Sequence, residues 1–363
     1  MEFDLLIVGA GLTGIVIAER AAAKGLTSLL VEKRNHIGGN CYDEYHPSGV
    51  LIHKYGPHLF RTNRKDVVDY LSRFTSWIAG NYRVESFTQG QYFPIPINID
   101  TLEKFYGVSL SRDDAKNLLD NLRLSVHEPK NSEEFVLSRV GNELYDAFYL
   151  GYTLKQWDRH PRDLAPSVCG RIPVRLNRDW RYVDHKYQMM PEHGFTRMLT
   201  NMLSHPNISV LLNTDYKKVN LKPRLMTIYT GPIDEYFNYS LGRLPWRSLN
   251  FEFKQYDQEF KQHCLSINYP NDFAYTRSVE IKHITRQKHH ATVVSYEYSS
   301  AEGDPYYPVP SEESKALHSK YEELALKEPD TVFAGRLATY SYIDMDTTIE
   351  QALALASALP ELK

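Results

Sequence analysis

Apolar positions follow two rhythms along this chain, and their order predicts its architecture. Leu5-Leu6-Ile7-Val8 is continuously apolar, the pattern of a strand buried on both faces. A helical stretch runs on to Ala23, and a second apolar run, Leu29-Leu30-Val31, ends on Glu32. Over residues 63–74, apolar side chains recur at Val67, Val68, Tyr70 and Leu71, which predicts a helix. Residues 82–98 alternate around Gln89-Gly90-Gln91 and predict a hairpin that closes at Pro94 and Pro96. Helical spacing returns over 101–158. There Ser111 caps a helix carrying Ala115, Leu118, Leu119 and Leu122, and a later helix covers 132–149. Residues 165–190 hold no period and are rich in Pro and Arg. A helix over 196–203 and a strand over 208–212 follow. Alternation dominates 225–300, as in Met226-Thr227-Ile228-Tyr229 and Ala291-Thr292-Val293-Val294, and predicts an antiparallel sheet. The chain closes with a helix over 314–327, a short buried run at Val332-Phe333, and a helix over 347–358.

The first strand leads into Gly9-Ala10-Gly11-Leu12-Thr13-Gly14, at the turn where a dinucleotide-binding βαβ unit needs its glycines. Gly9 permits the tight turn, Gly11 lets the backbone approach a pyrophosphate, and Gly14 lets helix and strand pack closely. The helix N-terminus offers free N–H groups and a positive dipole end to the phosphates. Glu32, eighteen residues past Gly14, is placed to accept from a ribose hydroxyl. A second glycine pair, Gly38-Gly39, brings the backbone back toward the ligand. That pairing resembles FAD proteins of the glutathione-reductase and amine-oxidase type and favours FAD over NAD. Val332-Phe333-Ala334-Gly335-Arg336 then sets Gly335 and Arg336 against the flavin end of the same ligand.

Nucleotide-binding pieces at both ends, with a helical block and a sheet between them, predict a discontinuous domain rather than beads on a string. The expected fold is α/β. A Rossmann-like FAD-binding domain takes residues 1–78, 192–242 and 315–363, with a helical bundle inserted at 101–150. An antiparallel-sheet substrate domain takes 79–100, 151–191 and 243–314.

Composition changes little of this. The 363 residues are 42% apolar and 24% charged, as in ordinary soluble globular proteins. A net charge of −3 gives no footprint for nucleic acid. Cys41, Cys169 and Cys264 have no metal-ligand spacing, so neither zinc nor a disulfide framework is expected. With no membrane-length apolar run and no basic leader at Met1-Glu2-Phe3-Asp4, the expected location is the cytoplasm. Twenty-six tyrosines matter where they meet arginine: Arg171, Arg175, Arg178 and Arg181 interleave with Trp180 and Tyr182, Arg247 follows Trp246, and Arg277 follows Tyr275-Thr276. Two readings stand for this cluster. One is a grip on a nucleotide diphosphate, and the other is a solvated face paired with Asp163, Asp179 and Asp184.

Over essentially its whole length the chain resembles the UDP-galactopyranose mutase family. The segments that carry the likeness are 32–40 (EKRNHIGGN), 53–58 (HKYGPH), 151–157 (GYTLKQW) and 171–175 (RIPVR). Further on come 229–234 (YTGPID), 247–249 (RSL), 304–309 (DPYYPV) and 335–338 (GRLA). The resemblance implies an isomerase that interconverts pyranose and furanose forms of a UDP-sugar. It implies reduced FAD forming a covalent flavin N5–sugar adduct without net redox, an external reductant such as NAD(P)H, and a homodimer. Arg171 and Arg277 are then the pair that grips the diphosphate, with Tyr182, Tyr307 and Tyr342 adding hydroxyls and Arg247 in the same constellation. Tyr152, Thr153, Trp157, Asn268 and Asn81 correspond to sugar and uridine contacts. His58 lies beside the flavin, and Lys33, Arg34, Gly39, Asn40, Asp215, Tyr216, Arg336, Asp344 and Met345 join the cofactor contacts.

One departure stands out. The galactose enzymes follow the His58 motif with Phe-His-Thr, whereas this chain has Phe60-Arg61-Thr62. Arginine is longer, always charged and purely a donor. Facing the sugar, Arg61 would bond an acyl oxygen on C2, as in relatives that accept UDP-N-acetylgalactosamine; otherwise it pairs with a flavin phosphate or meets solvent. Two other functions are consistent with the same residues: an FAD oxidoreductase of the amine-oxidase type, and a sugar-nucleotide binder without catalysis.

Overall fold

A computed structural model describes residues 2–361. Five strands form a parallel sheet in the order Ile208–Leu211, Ser28–Val31, Leu5–Val8, Met226–Tyr229, Thr331–Phe333. Leu5–Val8 and Ser28–Val31 are buried at every position, as continuously apolar parallel strands require. Helices Leu12–Ala23, Gly194–Met202 and Met345–Ser357 add Ile15, Ile17, Met198, Leu199, Ile349 and Ala352 to the core around the sheet. The sheet thus takes strands from both ends of the chain. Met226–Tyr229 belongs here, in parallel register with Leu5–Val8, and not to the antiparallel block its alternation suggested. The reason is visible at Thr227: its side chain is buried too, so polar and apolar positions do not separate outside from inside.

The second sheet has seven strands, in the order Tyr307–Pro308, Trp246–Tyr256, Thr292–Ser300, Arg277–Val279, Ser266–Asn268, Val84–Thr88, Gln91–Ile95. Its pairings are antiparallel except that of Ser266–Asn268 with Val84–Thr88. The expected hairpin is present, with Gln89 at φ 52° and Gly90 at φ 72°, the positive pair a tight two-residue turn needs.

Against the Gln91–Ile95 edge of this sheet, helices Ile99–Tyr106, Arg112–Leu122 and Ser132–Tyr145 build a lobe with its own core of Leu102, Leu119, Val136, Leu144 and Phe148. Asn98 and Ser111 close capping boxes on the first two. The third is not one straight rod to residue 149. It breaks at Gly141 (φ 77°), where an added Cβ would meet Leu122 O at 2.2 Å. Beyond Tyr145 it passes through a π-helical turn, Asp146–Leu150, into helix Gly151–Trp157. Residues 165–190 are mostly irregular, as expected. The segment ends in Tyr187–Pro191, the middle strand of a small sheet with Phe60–Thr62 and Trp77–Ala79. Among the described residues, no helix is long and apolar enough to cross a membrane.

Candidate active site

A cavity of 550 Å³ extends from the Gly9 turn of the parallel sheet to Arg277 of the antiparallel one. At its first end the backbone is stripped of side chains. Gly9 has φ 103°, and a Cβ there would meet Thr230 Oγ1 at 2.2 Å. Gly39 faces the first turn so closely that its Cβ would lie 3.1 Å from Gly11 Cα. Gly11 caps helix Leu12–Ala23 without a side-chain acceptor, so the first-turn N–H groups remain for a ligand anion. Glu32, buried on the wall, accepts from the Ala10 and Arg34 N–H groups, each at 2.9 Å. Those two bonds aim its carboxylate and leave lone pairs for a hydroxyl. Lys33, Arg34, Asn40, Asp215 and Tyr216 line the same wall, and Gly335, Arg336, Asp344 and Met345 line it further along. Gly14 is set back from the cavity, where its Cβ would meet Gly9 O at 2.2 Å; its lack of a side chain lets helix and strand close. These residues fit a dinucleotide.

The other end is cationic and aromatic. Arg277 Nε donates to Glu297 Oε2 at 2.5 Å, across the register pair that joins their strands. Burial opposes charge on Arg277, but Glu297 holds the guanidinium well above its ordinary value. Burial in turn raises the Glu297 carboxyl against the pull of Arg277. Arg171 Nη2 donates to Asp344 Oδ1 at 3.1 Å, and its guanidinium lies 4.1 Å over the Tyr342 ring. Arg61 shares that carboxylate, with Nη2 3.0 Å from Asp344 Oδ2. Burial would raise Asp344, yet the two arginines hold it below the usual carboxylate range. Tyr152, Tyr182 and Tyr307 line the cavity as neutral phenols; burial pushes all three up, Tyr307 to about 12.

His58 stands between the two ends. Its Nδ1 lies 2.9 Å from Gly56 O, an acceptor only, so Nδ1 carries the proton and Nε2 a lone pair. Burial lowers the imidazole to about 3, so it is neutral near pH 7.

Four of the expected substrate contacts lie off this wall. Arg247 is buried behind it, donating to Gln156 O at 3.0 Å and Ser299 Oγ at 2.9 Å. Thr153 packs with its hydroxyl 3.7 Å from Cys169 Sγ. Asn81 and Asn268 are absent from the lining, whereas Trp157 is in it. The other three arginines of the cluster turn away from the cavity, Arg178 and Arg181 on solvated faces and Arg175 buried. Arg175 pairs with Asp184, Arg181 with Asp179, and Arg178 with Asp100 and Glu103 of the helical lobe. Tyr82 lines the wall as well, and Glu297 is a site residue the sequence did not suggest. The one hint of Glu297 was an acid inside the otherwise uncharged strand 292–300. Among the described residues Glu85, His263 and Cys264 cluster as metal-type donors, but off this wall, where Glu85 is paired with His263.

The fold and site define a class: a flavoprotein-type protein with a Rossmann-like domain and a cationic substrate cleft set against an antiparallel sheet. The family model for an NAD(P)-binding Rossmann-like domain matches residues 7–74, and that for UDP-galactopyranose mutase matches 147–342. A probable UDP-galactopyranose mutase of Klebsiella pneumoniae is 40% identical, over 97% of this chain and 94% of that protein. A dTDP-fucopyranose mutase of Escherichia coli is 34% identical, over 97% of each chain. A crystal structure of reduced UDP-galactopyranose mutase shares the fold at TM-score 0.77 and 16% identity, covering 98% of this chain and 93% of that one. The chain belongs to the UDP-galactopyranose mutase family and is an isomerase of that kind.

Proposed function

We propose that this enzyme interconverts the pyranose and furanose forms of a UDP-sugar, UDP-galactose, UDP-N-acetylgalactosamine or both. One observation carries the reading: a single cavity joins the glycine cradle to two arginines, Arg171 and Arg277, with neutral tyrosines between them. FAD is the cofactor of this proposal; Gly9, Gly11, Gly39 and Glu32 would hold it, and in reduced form it would supply a nucleophilic N5 for the anomeric carbon without net redox. The chain's own residues do the positioning. Arg277, held charged by Glu297, and Arg171, aimed by Asp344, stabilise the diphosphate as it departs and returns. Tyr152 and Trp157 form a wall for sugar and base, and Tyr182, Tyr307 and Tyr342 supply hydroxyls. Neutral His58 offers an acceptor and no acidic proton to the flavin side of the cavity. A homodimer, a cytoplasmic location and a reductant of the NAD(P)H class complete the proposal.

Arg61 supports the N-acetylated substrate. Its Nη2 is fixed by Asp344, while Nε and Nη1 make no hydrogen bond among the described residues and lie in a side chain on the wall. An acetamido oxygen is the acceptor such donors suit. The test is chromatography of products from dithionite-reduced enzyme given UDP-galactose, UDP-N-acetylgalactosamine or a dTDP-sugar, with Arg61→His alongside. Catalytic isomerisation without consumption of reductant is expected, with the variant losing the N-acetylated substrate selectively. Stoichiometric substrate oxidation would mean an oxidase instead, and equal turnover of both UDP-sugars by both proteins would remove Arg61 from specificity.

A further inference from the structure

Helix Gly151–Trp157 and the loop between strands Ser266–Asn268 and Arg277–Val279 come together behind the cavity, and one ammonium joins them. Lys155 Nζ donates to the carbonyl oxygens of Tyr269, Phe273 (2.7 Å) and Tyr275 (3.3 Å). An ammonium has three protons, so this loop takes all of them. Two further features press the loop onto the start of the helix and the π-helical turn before it. Asn271 Nδ2 donates to Ala147 O at 3.2 Å. At Gly151, an added Cβ would lie 2.4 Å from Asn271 Oδ1 and 2.5 Å from Pro270 O, so only glycine lets the backbones approach.

The junction matters because of what stands on either side of it. The helix presents Tyr152 and Trp157 to the cavity, one turn and less from Lys155. The loop runs directly into Arg277, whose half-buried guanidinium lines the same cavity. The aromatic rings of the loop, Tyr269, Phe273 and Tyr275, pack on one another at 4.8–5.1 Å, which makes the loop a compact body for the ammonium to grip.

We propose that Lys155 is a positioning residue for the isomerisation: by tying the 269–275 carbonyls to helix Gly151–Trp157, it sets the distance between the aromatic wall and Arg277. This rests on the nucleotide-sugar reading above. Burial lowers Lys155 to about 8, with Asp272 the charged group that opposes the shift. The clamp therefore weakens as pH rises through that value, because an uncharged amine makes weaker hydrogen bonds and fewer of them.

The test compares wild type, Lys155→Met, Lys155→Arg and Gly151→Ala as flavin-loaded proteins. Steady-state kinetics on UDP-galactose under dithionite would be measured from pH 6.5 to 9.5, and UDP affinity by calorimetry. Lys155→Met is expected to keep its flavin spectrum while kcat/KM falls about tenfold, mostly through KM, the scale of one lost charge-assisted hydrogen bond. UDP affinity should fall with it. Wild-type kcat/KM should decline above pH 8, whereas Lys155→Arg, still charged there, should hold level. Gly151→Ala, which displaces the loop without touching charge, should reproduce the rise in KM. Unchanged KM and UDP affinity in Lys155→Met, or identical pH profiles for wild type and Lys155→Arg, would overturn the proposal. A wild-type protein that neither binds UDP nor isomerises any nucleotide sugar would instead sink the functional reading beneath it.

Discussion

His53, buried, and His58, half-buried on the cavity wall, lie with ring centroids 6.2 Å apart, and desolvation lowers each to about 3. Folded, both stay neutral; unfolded, each takes a proton near 6.5. Below that value the unfolded chain binds more protons, so stability falls as pH drops. The expected outcome is a falling Tm between about pH 6.5 and pH 5, before most carboxylates titrate. His53→Asn, which keeps an acceptor for the His58 N–H, should make the slope shallower; an unchanged slope would show the imidazoles are not its source. Neutral His58 was not legible in the sequence, which marked the residue but not its environment. Glu297 escaped for a related reason. Its partner Arg277 is twenty residues away in sequence and only strand register brings the two together. Local composition could not separate Arg171 from Arg175, Arg178 and Arg181, because all four share it; only the family likeness picked Arg171 out. Distant acids sort them: Asp344 draws Arg171 to the wall, while Asp100 and Glu103 draw Arg178 away.

At the scale of elements, local chemistry was readable wherever it was decided locally. Gly9, Gly11 and Gly14 fixed a turn, Ser111 a helix start, and Gln89-Gly90 a hairpin, because each depends on neighbours a few residues away. The break at Gly141 was not readable, since it answers to Leu122 across the lobe. Nor was the parallel pairing of Met226–Tyr229, since period-two alternation says nothing about a partner. The glycine turn yields its own prediction. In Gly14→Ala, helix propensity gains roughly 1 kcal/mol, yet the new Cβ collides with Gly9 O, a backbone atom that cannot swing aside. The helix must move off the strand and carry its phosphate-facing N–H groups with it. Purified Gly14→Ala should therefore lose flavin, read as the ratio of visible to ultraviolet absorbance. Gly107→Ala is the control: φ is 66°, but nothing lies within 4 Å of the added Cβ. It should lose only about 1 kcal/mol of stability and keep its flavin.

For the whole molecule, the arrangement of the chain explains why nucleotide-binding signals sit at both ends. Strand Thr331–Phe333 completes the sheet begun at Leu5, and helix Met345–Ser357 seals the core beside helix Leu12–Ala23. That division was legible because glycine turns and buried runs flank the insertions. The lateral order of the strands was not, as it depends on crossovers no short window records. The last helix also joins core to chemistry: Ile349, Ala352 and Ala356 are buried with Ile15 and Ile17, and just before it Asp344 holds Arg61 and Arg171. Lys24 Nζ fastens its end, donating to Ser357 O and Leu359 O at 2.7 Å each. A chain stopped after Tyr342 loses Ile349 and Leu359 from the core, about 1.5–3 kcal/mol apiece, and uncovers the helix they sealed. Against a typical margin of about 5–15 kcal/mol, that loss together with the unpaired arginines should leave no soluble flavin-bound protein. A chain stopped after Leu359 keeps every one of these contacts and should be yellow and soluble at normal yield. Soluble expression and flavin absorbance of the two truncations decide the matter. A soluble, yellow 1–342 protein would show that the parallel sheet holds its cofactor without the C-terminal helix, and that the two ends of the chain are less interdependent than their packing indicates.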